Sequence, residues 1–203
     1  MERTPVQKLA RVLRVLVMVI FACNILALFM VPMLAVGEWS SAGAGAVEWG
    51  LDILRSLFNP KLDQEARSEV FVWIGYMFML SWPAVFEEAY TAVLTVFLWS
   101  CGVCTAVILW QGKRVLDTVL AGEPFSVENA ANLRRASVCC FVISGAALAR
   151  LVWGLAYYAS VRPLLTYNAL FVPVFSVGGL LFLVMSALFR QAAELKAEND
   201  LTI

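Results

Sequence analysis

The chain has 203 residues, of which 62% are hydrophobic and only 15% are charged, and its mean hydropathy is +0.81. Soluble globular domains contain about 45–50% apolar and about 25% charged residues, so this composition excludes a soluble globular protein and indicates an integral membrane protein. Fifteen basic and fifteen acidic residues cancel, which argues against direct nucleic-acid binding, and histidine, the commonest general base and a frequent metal ligand, is absent.

The first apolar run predicts a membrane span over about residues 15–36. Four bases precede it: Arg3, Lys8, Arg11 and Arg14. The run is longer than the apolar region of a signal peptide, which has about 7–15 residues, so a retained span is favoured over a cleaved signal. Asn24 lies near the middle of the run and is expected to need a polar partner or water there.

Residues 37–88 predict a long outer segment with amphipathic or interfacial character. The apolar residues Val47, Leu51, Leu54 and Phe58 recur at helical spacing and predict an amphipathic helix. Residues 70–86 are uncharged and compatible with a span, a re-entrant helix or a helix on the membrane surface. Counting them as a span would place the central bases outside, so we predict a helix in or at the outer leaflet.

Three further spans are predicted at about residues 89–111, 137–159 and 168–189, with a polar loop over 112–136 and a tail over 190–203. The fold class is therefore all-α, a single membrane domain of four helices that covers residues 1–203. In this arrangement ten bases lie on one side and four on the other. The positive-inside rule then places both termini in the cytoplasm, as for a multi-pass protein of an inner (cytoplasmic) membrane.

The central loop combines a helix end, a turn and a helix start. Gly122 is suited to the left-handed conformation that ends a helix, and Pro124 cannot continue one. Ser126 is a favourable N-cap, and Glu128 falls in the first turn, near the positive end of the next helix.

Two motifs resemble those of a known family. One begins at Gly122 as Gly-Glu-Pro-Phe-Ser-Val-Glu-Asn and is followed by Leu133-Arg134; the other begins at Glu194 as Glu-Leu-Lys-Ala-Glu-Asn-Asp-Leu-Thr-Ile. Together they are similar to the central and C-terminal motifs of a bacterial membrane family catalogued as domain of unknown function 2975. The order of the spans also fits this family, so the resemblance is expected to cover nearly the whole chain.

The resemblance implies a function only by association, because members of that family are often encoded beside a small helix-turn-helix regulator. It suggests a non-enzymatic membrane sensor or regulator that binds this cytoplasmic partner. The partner-binding face is then predicted to consist of the motif residues Pro124, Phe125, Glu128, Asn129, Leu133, Glu198, Asn199, Asp200 and Leu201.

Arg150 is the only charged residue inside the third predicted span. A charge at that depth is costly unless it pairs or faces a cavity. Asn24 and Ser100 are expected at a similar depth, so the three residues are predicted to form an intramembrane polar hub. An anion-binding site there, in a small transporter or channel subunit, is the alternative function.

The five cysteines all lie in apolar runs. Cys101 with Cys104, and Cys139 with Cys140, are spaced like redox pairs, and a membrane thiol redox protein is a weaker alternative. Packing is favoured, because buried cysteine behaves as a small hydrophobic residue. The sequence contains no phosphate-binding glycine loop and no nucleophile–base pair, so no catalytic, cofactor-binding or metal residues are predicted and the protein is not expected to be an enzyme. Homo-oligomerisation is left open.

Overall fold

A computed structural model of the chain describes residues 5–39, 64–123, 125–159 and 166–200, together with residues 55, 161 and 164. These residues form helices and turns, and no strand occurs among them, which confirms the predicted all-α class. The amphipathic helix predicted around residues 47–58 falls outside the described residues, apart from residue 55.

The described residues form five long helices: α1 (Pro5–Trp39), α2 (Gln64–Glu87), α3 (Ala89–Ala121), α4 (Val127–Tyr158) and α5 (Tyr167–Asp200). Four stretches among them are long and apolar enough to cross a membrane: Lys8–Pro32, Ala89–Ala121, Val127–Tyr157 and Asn168–Asn199. The protein is therefore a multi-pass membrane protein, and the number of candidate spans agrees with the four predicted. The helix α2 is not one of the four.

The chain divides into two compact units, residues 1–27 with 100–203 and residues 28–99. In the second unit, α2 contacts α1 and α3 through aromatic rings. The Phe78 ring stacks on Phe29 with their centroids 5.6 Å apart, and the Trp82 ring meets Trp99 edge-on at 5.5 Å. These contacts fix α2 along the second half of α1 and the beginning of α3.

In the first unit, α4 and α5 form an antiparallel pair joined by serine hydroxyls that donate to carbonyl oxygens of the other helix. The bonds run from Ser186 to Ala130 at 2.7 Å, from Ser137 to Gly179 at 2.8 Å and from Ser144 to Val172 at 2.9 Å. Each step moves seven residues forward along α4 and seven back along α5, which is the heptad spacing of a coiled-coil seam. We call this set of contacts the serine ladder.

The serine ladder requires a close approach of the two helices, and small residues allow it. Ala136, Cys140 and Ala147 are buried along α4, and Gly179 is buried on α5. In lipid, small side chains at an interface let two backbones pack closely, while each interhelical hydrogen bond contributes on average about 0.6 kcal/mol. The ladder therefore sets the register of α4 and α5, and the van der Waals contacts of the small residues supply much of the stability.

The C-terminal end of α4 contains a strained residue. Ala159 follows the helix with φ of 45° and ψ of 37°, in the left-handed region. This conformation costs a residue with a Cβ roughly 1–2 kcal/mol, and a glycine there loses about 0.5–1 kcal/mol in chain entropy. We therefore expect Ala159→Gly to raise the free energy of unfolding by about 0.5–1 kcal/mol, measured by unfolding in detergent.

A matched control for this prediction is Ala156→Gly, at an exposed position inside α4. Glycine in a helix interior is less favourable than alanine by about 0.8–1.0 kcal/mol, so this variant should be destabilised. A decrease in stability for both variants would contradict the conformational argument at residue 159.

Candidate functional site

Four helix ends meet at one end of the first unit, which we call the motif end. The Arg14 Nε lies 2.8 Å from Asp117 Oδ1 and joins the beginning of α1 to the end of α3. The Lys113 Nζ lies 3.3 Å from the other carboxylate oxygen of Asp117 and stands 4.9 Å from the centroid of the Trp110 ring. The end of α5 joins them through Ser186, whose hydroxyl bonds to Ala130 at the start of α4.

The loop of the motif end is built as its sequence predicts. Gly122 has φ of 88°, the left-handed conformation, and the Glu123 N–H donates to the Thr118 carbonyl at 3.0 Å. Ser126 is the N-cap of α4, with φ of −130° and ψ of 151°, and its hydroxyl accepts from the Asn129 N–H at 3.2 Å. Glu128 lies in the first turn of α4. The predicted helix stop and helix start are both confirmed.

Asn129 ties α4 to α3. Its side chain is fully buried, and its Nδ2 donates to the Thr118 Oγ1 at 2.6 Å. The Thr118 hydroxyl in turn donates to the Val115 carbonyl within α3 at 2.7 Å. The prediction that Asn129 lies on a partner-binding face is therefore corrected: its side chain is buried, and its Nδ2 hydrogen-bonds to α3 and closes the loop.

Phe125 is the most distinctive apolar residue of the loop. Its ring packs against Phe189 of α5 with centroids 5.5 Å apart, yet 50% of the residue stays exposed. The adjoining residues Val127 and Glu128 are also exposed, and Leu133 is half-buried one turn further on. The motif end thus presents an apolar side chain on a loop that is fixed by hydrogen bonds on both sides.

The other predicted members of the partner face are described in part. Glu198 and Asn199 are exposed near the last described residue of α5, Asp200. An exposed ion pair of Arg190 with Glu194, at 2.9 Å, lies one to two turns before them. Pro124, Leu201 and the side chain of Asp200 lie outside the described residues.

Arg150 is buried and paired within the helix bundle. Its Nη1 donates to the Asn168 Oδ1 at 2.9 Å, and both residues are only 8% exposed. The pair lies beyond the last bond of the serine ladder, toward the end of α4 and the beginning of α5, and is a further polar contact between the two helices. Sequence reasoning missed Asn168, because a lone asparagine at the start of an apolar run gives no sign of which helix it faces.

The other two predicted hub residues are half-buried. The Asn24 Oδ1 is buried and has no hydrogen-bond partner among the described residues. Membership of Asn24 and Ser100 in one hub with Arg150 stays a prediction, as does the transport function that would use it.

All five cysteines are free thiols. The thiols of Cys104 on α3 and Cys139 on α4 lie near each other, so one member of each sequence pair approaches the other pair. Both residues lie inside the candidate spans, at half-buried positions. The thiol redox alternative stays a prediction.

The family of the chain follows from its sequence profile. The profile described as "Protein of unknown function (DUF2975)" matches residues 67–203, which is 137 of the 203 residues. The chain belongs to this family. The DUF2975 match covers most of α2, all of α3 to α5 and both motifs. It omits residues 1–66 and so is shorter than the nearly complete resemblance expected from the sequence.

Comparisons with curated proteins and with solved structures found no match. The DUF2975 description assigns no activity, so any function rests on the motif end itself.

Proposed function

We propose that this protein is a non-enzymatic membrane regulator whose motif end faces the cytoplasm of a bacterium and binds a soluble protein. The partner is a small helix-turn-helix transcription regulator. The protein holds this regulator at the inner membrane, or releases it, in response to a signal sensed within the membrane. The partner's identity rests on the family association, and the location of its binding surface rests on the geometry of the motif end.

The observation that carries the proposal is the half-exposed Phe125 on a loop fixed by hydrogen bonds. Aromatic residues are enriched among those that dominate binding energy at protein interfaces. The Ser126 cap and the Asn129–Thr118 bond hold the loop in place before a partner arrives. A preorganised loop loses less conformational entropy on binding, which favours recognition.

The charges of the motif end support its cytoplasmic location. Nine bases lie toward this end of the four candidate spans: Lys8, Arg11, Arg14, Lys113, Arg114, Arg134, Arg135, Arg190 and Lys196. Cytoplasmic loops of membrane proteins carry an excess of lysine and arginine. The exposed acids Glu128 and Glu198 lie among these bases, so the surface offers charges of both signs around Phe125. Charges of both signs around an apolar side chain suit a folded protein partner better than a partner that carries only negative charge.

The experiment is a co-purification of the full chain with the helix-turn-helix protein encoded nearest to its gene. We expect the wild-type chain and Phe125→Leu to retain the regulator, while Phe125→Ser weakens binding by roughly 30-fold or more, the size of a hot-spot loss. Binding is measured by titration in lipid nanodiscs.

The matched control is Val161→Ser, which removes another exposed apolar side chain, in the turn between α4 and α5 at the opposite end of this helix pair. This variant should bind like the wild type. Equal binding by the wild type and Phe125→Ser, or equal losses in Phe125→Ser and Val161→Ser, would contradict the proposed site.

A further inference from the structure

A second feature of the first unit is a buried polar layer between α3 and α4. On α3, Cys104, Gln111 and Thr118 follow one another at seven-residue intervals and therefore lie on one face of the helix. The two outer members both lie near α4: Thr118 accepts a hydrogen bond from Asn129, and the Cys104 thiol lies near that of Cys139. Gln111 lies between them on the same face of α3 and is only 8% exposed.

The facing side of α4 carries a second amide. Asn132 lies three residues after Asn129 and seven before Cys139, so it falls between the same two contacts. Its side chain is 1% exposed. Because α3 and α4 run antiparallel from the loop at Gly122, Gln111 and Asn132 lie at corresponding levels of the interface.

These two amides have hydrogen-bonding capacity that the protein does not use. Among the described residues, the Gln111 Oε1 and both the Oδ1 and Nδ2 of Asn132 are buried and have no hydrogen-bond partner. Buried polar side chains in native proteins are nearly always hydrogen-bonded to protein or to ordered water. Two acceptors and one donor at one level of a helix interface therefore require a further hydrogen-bonding group.

The chemistry of the polar layer indicates which molecule could bind to these unpaired atoms. Both amides are neutral, and the nearby carboxylate of Asp117 is directed to Arg14 and Lys113, so the layer offers no net charge to an ion. Water donates two hydrogen bonds and accepts others, which matches two carbonyl oxygens and one NH₂ group. Buried waters make about three such bonds on average.

We propose that Gln111 and Asn132 form an internal water-binding site, which holds one or two water molecules between α3 and α4 beneath the central loop. The water bridges the Gln111 Oε1 to the Asn132 amide. The site joins α3 and α4, the two helices that flank the loop with Phe125. The proposal does not depend on whether a regulator binds that loop.

The first test needs no substitution. The full chain is labelled with ¹⁵N-asparagine and placed in lipid nanodiscs, and magnetisation transfer from water to the side-chain NH₂ groups is measured by NMR. We expect a direct, long-lived water contact at Asn132. An Asn132 NH₂ signal without water transfer would overturn the proposal.

The second test is a double-mutant cycle with Gln111→Leu and Asn132→Leu. Each single variant leaves the other amide without its bridge, so we expect its thermal midpoint to fall by roughly 2–8 °C. The thermal midpoint of the double variant should fall by clearly less than the sum of the two single decreases, because no buried amide is left without its hydrogen bond. The exposed amide variant Gln191→Leu serves as control and should stay within about 1 °C of the wild type. Strictly additive losses would show that the two amides share no site.

Discussion

We expect Gly179→Ala to disrupt the packing of α4 against α5. A Cβ at residue 179 would lie 3.1 Å from two ring atoms of Phe141 and 3.3 Å from the Cys140 Cβ. The Cys140 Cβ is fixed to the backbone of α4, so the two helices must separate, which also lengthens the bond from Ser137 to the Gly179 carbonyl. Overpacking of this kind typically costs about 1–3 kcal/mol. The free energy of unfolding in detergent should fall by that amount.

The neighbouring glycine provides a matched control. A Cβ at residue 178 meets nothing within 4 Å, so Gly178→Ala should be neutral or stabilising, because alanine is the better helix former by about 0.8–1.0 kcal/mol. Adding Phe141→Ala to Gly179→Ala should restore part of the loss, since it removes the clashing ring. If the two glycine variants were equally stable, the close contact at Gly179 would not exist in the folded protein.

The second large effect is expected at Arg150. Replacement by leucine removes the donor to Asn168 and leaves a buried amide without this bond. Hydrogen bonds to charged groups contribute about 1.5–3 kcal/mol, so Arg150→Leu should lower the free energy of unfolding by that amount, measured in detergent. Membrane insertion should not be impaired, because the arginine itself opposes insertion by about 2.5–3.5 kcal/mol at this depth.

The pairing is tested by combining Arg150→Leu with Asn168→Leu. The double variant should be more stable than the sum of the two single losses predicts, because it leaves neither a buried charge nor a buried amide. Additive losses, or a wild-type stability for Arg150→Leu, would show that the arginine contributes nothing through Asn168.

Sequence reasoning located the helices and the central loop because these depend on local chemistry. Length and hydropathy alone identify a stretch that can cross the hydrocarbon core. The loop likewise follows from single residues, since Gly122 tolerates a positive φ and the Ser126 hydroxyl caps a helix. Both conformations are found at the predicted positions.

The buried face of each helix, and the neighbour it packs against, could not be predicted in the same way. In water an apolar stripe marks the buried face of a helix, but in lipid the exposed faces are apolar as well. Asn129 and Asn168 therefore gave no sign of being buried against particular neighbours. The signal that would have helped is the seven-residue spacing of small and polar residues, Ser137 with Ser144 on α4 and Gly179 with Ser186 on α5.

The most direct test of the proposed function is photo-crosslinking in living cells. A photoreactive amino acid replaces Phe125 in one strain and Val174 in another; Val174 is an exposed residue within the candidate span of α5. If the motif end faces the cytoplasm and binds the helix-turn-helix regulator, the probe at residue 125 should form a crosslinked product that contains it, and the probe at residue 174 should not. Crosslinks to the regulator from neither position, or equally from both, would contradict the proposal.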